Sequence, residues 1–489
     1  MKQFIFIIII IFWASASFIR AEAGNMLRPR GDLNCDWEVN IADVNAMVDA
    51  IIAGKPYHSL YTYAYDINGD KEITIADLNV LIGAVLGNEL KPMPTYSGTL
   101  PVLFINTAGY RDIVSKEEYL RAKWWLDNMG IEGYQSIGSA EAPLGTQIKG
   151  RGNATWTNCE KKPYRLKLDE KYRMLGMPSN RHWVLLANEG MWMGLMNDAL
   201  PFEIGRRMGM SWNPHMEPVE VVLNGQYIGL YFLAEKIRVG KSRVDIVEQQ
   251  DMENDPRKVT GGWLIEIDNY IEPGNITFTE GNGEPFWVTP QSPEVLSTAQ
   301  RNYITDLLLK TDSAIYIPDK LSTGWEQYID IDSLAIYYLV QEAVDNPEAF
   351  SGSCFIHKQR GDSTKLIFGP MWDCGSSFTR YSKDYLFNEF IYENQPSYCR
   401  CRWIAEIAKF PHFQERVRYH WHHFYNDVYP LMDNYIDSFA AKIEQAGTAD
   451  FKRWPQSQSN VIGLRVNQYL KPNFHKKVAW LQTQWGNEQ

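Results

Sequence analysis

Two segments near the start of the chain carry the same spacing of oxygen-bearing side chains, and few structures accommodate that pattern twice. Asp32-Leu-Asn-Cys-Asp-Trp-Glu-Val-Asn-Ile-Ala-Asp43 aligns without a gap on Asp66-Ile-Asn-Gly-Asp-Lys-Glu-Ile-Thr-Ile-Ala-Asp77. Positions 1, 3, 5, 9 and 12 are Asp32, Asn34, Asp36, Asn40 and Asp43 in the first copy, and Asp66, Asn68, Asp70, Thr74 and Asp77 in the second. Position 7, Glu38 or Glu72, supplies a backbone carbonyl in a loop of this kind. Calcium is a hard cation that takes ~6–8 oxygen ligands, so the spacing predicts two Ca2+ sites. Val39 and Ile73, at position 8, provide the apolar pair that two facing loops need. Each loop runs into an amphipathic helix, Val44 to Ile52 and Leu78 to Leu86, closed by Gly54 and Gly87.

The segment before the repeat reads as an export signal. Met1, Lys2 and Gln3 lead into an apolar run from Phe4 to Trp13 and then Ala14, Ser15 and Ala16. The run is shorter than the ~20 apolar residues of a membrane span, so residues 1–23 are expected to be a cleaved leader, cut after Ala16, Ala21 or Ala23. The mature chain is then secreted or held at the cell surface, with no membrane insertion once the leader is gone. A net charge of −11 argues against nucleic-acid partners. Cys35, Cys159, Cys354, Cys374, Cys399 and Cys401 have no zinc-type spacing, and no disulfide pairing is assigned.

Set against a full EF-hand, the two loops lack glycine at position 6 (Trp37, Lys71), end in Asp rather than Glu, and have no entering helix. With those departures, residues 26–89 resemble a type I dockerin. The resemblance implies a small all-α module that binds a cohesin-type domain on a scaffold or surface protein in a calcium-dependent way. Positions 10 and 11, which help select the partner in that family, are Ile41-Ala42 and Ile75-Ala76, so the two copies stay nearly symmetric. Cys35 and Trp37 are unusual for it. Residues 90–98, with Pro92 and Pro94, read as a linker.

Residues 99–486 form the larger module. Strand-like runs come first (Leu100 to Ile105, Tyr164 to Leu168, Val219 to Leu223, Tyr227 to Ala234, Trp263 to Ile267). Helical patterns follow at Ile331 to Glu342, Ile404 to Lys409, His412 to Val428 and Tyr435 to Gln445, which predicts an α+β body of two lobes around a cleft. Ile148-Lys-Gly-Arg-Gly-Asn-Ala-Thr-Trp156, Lys161-Lys-Pro-Tyr-Arg-Leu-Lys-Leu168, Trp183-Val-Leu-Leu-Ala-Asn188, Leu223-Asn-Gly-Gln-Tyr-Ile-Gly-Leu-Tyr231 and Gly369-Pro-Met-Trp-Asp373 stand in the order seen in the CotH family. That resemblance implies an atypical protein-kinase-like fold, with ATP and Mg2+ or Mn2+ as cofactors and serine or threonine hydroxyls of another protein as acceptor.

Phosphoryl transfer needs charge neutralisation and positioning: a cation on phosphate, acidic metal ligands, and a carboxylate beside the acceptor hydroxyl. By the resemblance, Asp373 is the metal-binding Asp. Lys167 on a short strand would meet the phosphates, with Glu235 as its carboxylate partner, and Gly150, Gly152 and Asn153 would form a turn of backbone donors. The catalytic loop departs from the family pattern. Glu348 stands where the family has Asp, and Ser353 where it has a metal-binding Asn. The extra methylene moves the charge by about 1.5 Å, a displacement that can cost about a hundredfold in rate. Three readings therefore stand at this level: a kinase-like enzyme, a degenerate kinase fold serving as a structural or adhesive surface component, and a polysaccharide-active member of a cellulosome-like complex, for which no paired-carboxylate motif stands out.

Overall fold

The computed structural model describes residues 27–54, 64–90, 94–187, 196–378, 387–393, 403–455 and 466–486. The expected leader, Asn188, Cys399, Cys401 and the centre of the expected linker lie outside them.

In the first module, α1 (Ile41–Ile52) and α2 (Ile75–Val85) each start inside a repeated loop, three residues earlier than the apolar periodicity suggested. The cause is a reciprocal cap. The Asn40 and Thr74 side chains accept from the backbone of the first turn, while Asp43 and Asp77 reach back to the cap amides, satisfying donors that a helix start leaves open. Leu33, Met47, Tyr65, Ile67 and Leu81 form a small core between the helices, leaving Ile41, Ile52, Ile75 and Leu86 exposed.

The larger module begins with seven strands: β1 (Val102–Thr107), β2 (Leu120–Asp127), β3 (Leu144–Gly150), β4 (Tyr164–Tyr172), β5 (Asn180–Leu186), β6 (Met216–Leu223) and β7 (Gln226–Glu235). They close into a barrel in the order β1-β2-β3-β4-β5-β7-β6, sealed by a parallel pairing of β6 with β1. Alternation along the strands fills the inside with large rings: Trp124, Tyr164, Trp183 and Tyr231 are among its fully buried residues. On β4 the partners in that alternation, Arg165 and Lys167, face outward.

A second sheet, not anticipated as a unit from the sequence, has the order β12-β11-β8-β10-β9. Its strands are β8 (Trp263–Ile267), β9 (Ile276–Thr279), β10 (Pro285–Ser292), β11 (Cys354–Lys358) and β12 (Ile367–Phe368). Strands and helices are therefore interleaved rather than sequential. The extra strands are short, or broken by a shift of register as in β10, so period-two alternation has little length in which to show.

The principal helices among the described residues are α3 (Ala199–Arg207), α4 (Thr298–Ile315), α5 (Ile331–Ala343), α6 (Pro411–His423), α7 (Met432–Arg453) and α8 (Lys471–Trp485). One continuous apolar core joins the second sheet, these helices and the outer wall of the barrel. The segments after β8, after α5 and after β12 meet beside the end of β3, and that meeting is the candidate cleft.

Candidate active-site cleft

The floor of the cleft is built from two strained turns. Asp345 (φ +46°), Phe350 (φ +61°) and Ser353 (φ +51°) lie on the segment after α5, and Asp373 (φ +53°) follows β12. Left-handed backbone at residues with a Cβ costs on the order of 1 kcal/mol each and persists where surrounding structure imposes it, often at functional sites. The Ser353 hydroxyl points at Asp373 Oδ2, 3.5 Å away. The cleft thus brings together three residues singled out in the sequence: Glu348, Ser353 and Asp373.

Asp373 is exposed, yet it stands among densely packed protein, and that enclosure lifts its carboxyl above the usual range. Arg151 opposes the shift; its guanidinium lies over the Trp372 ring at 5.6 Å from the centroid. Burial, with the nearby charge of Asp373, pushes Glu348 up to about 7, against a hydrogen bond with Ser376.

Three further carboxylates, not found by sequence reasoning, complete the floor. Glu266 on β8 is buried and raised well above its ordinary value, first by burial and then by Asp268 and Asp373; Gln291 Nε2 donates to it at 2.7 Å. Asp268 follows at the end of the same strand and is also raised, chiefly by burial. Asp198, just before α3, is pushed up to about 7 by burial and Asp373, while accepting from the Cys374 amide at 2.8 Å. Asn197 donates to the carbonyls of Gly375 and Ser377 at 2.8 and 2.9 Å, so the start of α3 fastens the turn that carries Asp373. A signal for Glu266 was available in principle: Trp263-Leu-Ile-Glu-Ile-Asp268 places two carboxylates on one face of an otherwise apolar strand.

The cationic wall differs from the expectation. Lys167 is exposed on β4, paired in register with Gln147 and His182, and Glu235 is not its partner. Glu235 is fully buried at the end of β7, where it binds Arg243 Nη1 at 2.5 Å and His215 Nδ1 at 2.9 Å. The physical reason is proximity across the chain turn after β7, which hands Glu235 a buried guanidinium before any strand lysine can reach it. The cation beside the cleft carboxylates is instead Arg151; Arg165 and Lys236 stand near it, and burial and then Arg165 push Lys236 down to about 7. The Nε of Arg165 is buried without a hydrogen-bond partner. The Gly150 and Arg151 amides donate to Ser115 O at 2.9 Å and Pro163 O at 3.2 Å, so they are not free to cradle a phosphate.

Several of the remaining family-motif residues have a structural task. Gly229 (φ +108°) lets Asp450 of α7 approach β7 so closely that a Cβ there would lie 2.1 Å from Asp450 Oδ1. Asp450 accepts from the Leu230 amide at 2.9 Å and pairs with buried Lys161 at 2.8 Å, and the Tyr231 hydroxyl donates to Lys162 O. This clasp ties α7 to the barrel.

In the calcium-loop module each loop holds two buried carboxylates, Asp32 with Asp43 and Asp66 with Asp77, and none pairs with a basic side chain within 4 Å among the described residues. Burial raises both Asp32 and Asp66. These buried carboxylates, held by loop amides and ringed by Asn34, Asp36, Asn68 and Asp70, are oxygen donors of the kind a hard divalent cation takes. Among the described residues no group of three acidic, His or Cys side chains converges on one point, in the loops or in the cleft.

A paired-loop helical module followed by a large α+β body is the class that fold and loops define. The family model for the dockerin type I domain matches residues 30–86, and that for the CotH kinase protein matches residues 148–485. The chain belongs to the CotH kinase protein family and carries a dockerin type I domain ahead of it. No curated protein matches it. No helix among the described residues is long and apolar enough to cross a membrane.

Proposed function

We propose that this is an exported protein-hydroxyl kinase, attached to a cohesin-bearing scaffold or surface protein through its calcium-loaded dockerin. The barrel and the second sheet with its helices act as the two lobes. The observation that carries this reading is the convergence of Glu348, Ser353 and Asp373, from two separate turns, with Arg151 opposite them.

Asp373, Glu266 and Ser353 are the residues that would hold a divalent cation, which supplies charge neutralisation for a nucleoside triphosphate. Arg151, Arg165 and Lys236 face the phosphates. Glu348 takes the proton of a serine or threonine hydroxyl as its oxygen bonds to the terminal phosphorus, and the bond to the leaving diphosphate breaks. Activity with the longer Glu348 in place separates the kinase reading from a degenerate, purely structural one.

The test is thermal unfolding of the full chain with ATP and Mn2+. The kinase reading expects a rise in midpoint that Asp373→Asn removes; no rise at millimolar ATP would leave the structural reading in its place.

A further inference from the structure

Position 6 of both calcium loops poses a problem that docking to an outside partner does not answer. Trp37 and Lys71 occupy it at φ +71° and +69°, a conformation that glycine adopts freely and that costs residues with a Cβ on the order of 1 kcal/mol. Both side chains are turned toward the chain's own barrel. The Trp37 ring lies against Gly225, in the turn between β6 and β7, where an added Cβ would meet it at 3.3 Å. Lys71 Nζ reaches Glu160 Oε1 at 3.4 Å.

The contact extends beyond those two residues. The Arg28 amide donates to Gly225 O at 2.8 Å, and Leu27 packs beside Val102, Phe104, Trp125 and Tyr227 on the barrel's outer wall. Arg28 is buried, its guanidinium contacts Cys35 Sγ, and its charge offsets the burial of Asp32, the first ligand position of the loop. Gly225 (φ +74°) has no room for a side chain, since its Cβ would stand 2.8 Å from that of Arg28.

From this we infer that the dockerin is seated on its own barrel rather than trailing on a free tether, and that calcium locks the seat. The inference rests on the calcium reading of the two loops. Metal binding fixes the loop backbone, which holds Trp37 and Lys71 in the left-handed conformation that carries them to Gly225 and Glu160. The module's exposed apolar residues, Ile41, Ile52, Ile75 and Leu86, are then presented to a partner in one fixed orientation relative to the catalytic body.

The experiment is amide hydrogen exchange on the full chain, with calcium and with EDTA, beside a calcium titration by calorimetry. In the wild type, calcium should slow exchange at residues 222–230 at least severalfold. In the double variant W37G/K71G, glycine relieves the strain, so calcium binding should persist within a few-fold while protection at 222–230 no longer responds to it. G225A, which alters no loop residue, should abolish the same response and serves if the double variant fails to fold. Calcium heat without a change at residues 222–230 in the wild type, or a response that survives in W37G/K71G or G225A, would overturn the seat. Absence of calcium heat in the wild type would instead defeat the calcium reading itself.

Discussion

Lys477, on the last helix, places its ammonium 3.2 Å from Asp345 Oδ1, at the head of the loop that carries Glu348, and both side chains are fully buried. The same ammonium lies 3.0 Å from Glu342 Oε2 and donates to Glu389 O at 2.6 Å. The Asp345 carbonyl in turn accepts from the Phe378 amide at 3.3 Å, beyond Asp373. One cation from α8 thus fastens the base of the loop carrying Glu348 and, through Asp345, the turn carrying Asp373.

Lys477→Met is therefore expected to cost about 3–5 kcal/mol, the penalty for stranding buried carboxylates. Urea unfolding measures it. A loss below about 1 kcal/mol would mean that the pair is not the anchor described.

Gly229→Ala should be almost as damaging. The new Cβ would stand 2.1 Å from Asp450 Oδ1 at a residue with φ +108°, so overpacking and left-handed strain act together. The expected loss is about 2–4 kcal/mol, read from the thermal midpoint, and a loss below about 1 kcal/mol would mean that the close approach of Asp450 is not imposed by Gly229.

How much of this was legible from the chain alone follows from where each part's partners come from. The calcium loops are local: ligand positions sit within one segment, so periodic oxygens at Asp32 to Asp43 suffice to find them. Glu348, Ser353 and Asp373 could be named because motif order places them, although their meeting is long-range. Glu266, Asp198 and Arg151 escaped because the floor draws on β8, the start of α3 and the end of β3, which no spacing links. Glu235 was misassigned to Lys167 because an unpaired carboxylate on a strand shows its charge in the sequence but not its partner, Arg243.

The stability of the large module should depend on pH through Asp312. Burial pushes its carboxyl up to about 6 from 3.8, against the hydrogen bond donated by Trp403 Nε1 at 2.9 Å. A raised folded-state value stabilises fully below the unfolded value and is lost as pH rises through the folded one. Wild type should therefore lose on the order of 1–3 kcal/mol relative to Asp312→Asn between pH 4 and 7. Parallel stability curves for the two proteins would contradict the assignment.

The central claim is that Glu348 and Asp373 serve one phosphoryl-transfer site, and transfer of labelled phosphate from ATP with Mn2+ to protein serine or threonine tests it most directly. Wild type should incorporate label, while Glu348→Gln and Asp373→Asn, folded by their thermal midpoints, should fall at least ~100-fold. No incorporation by wild type, or incorporation unchanged in both variants, would contradict it.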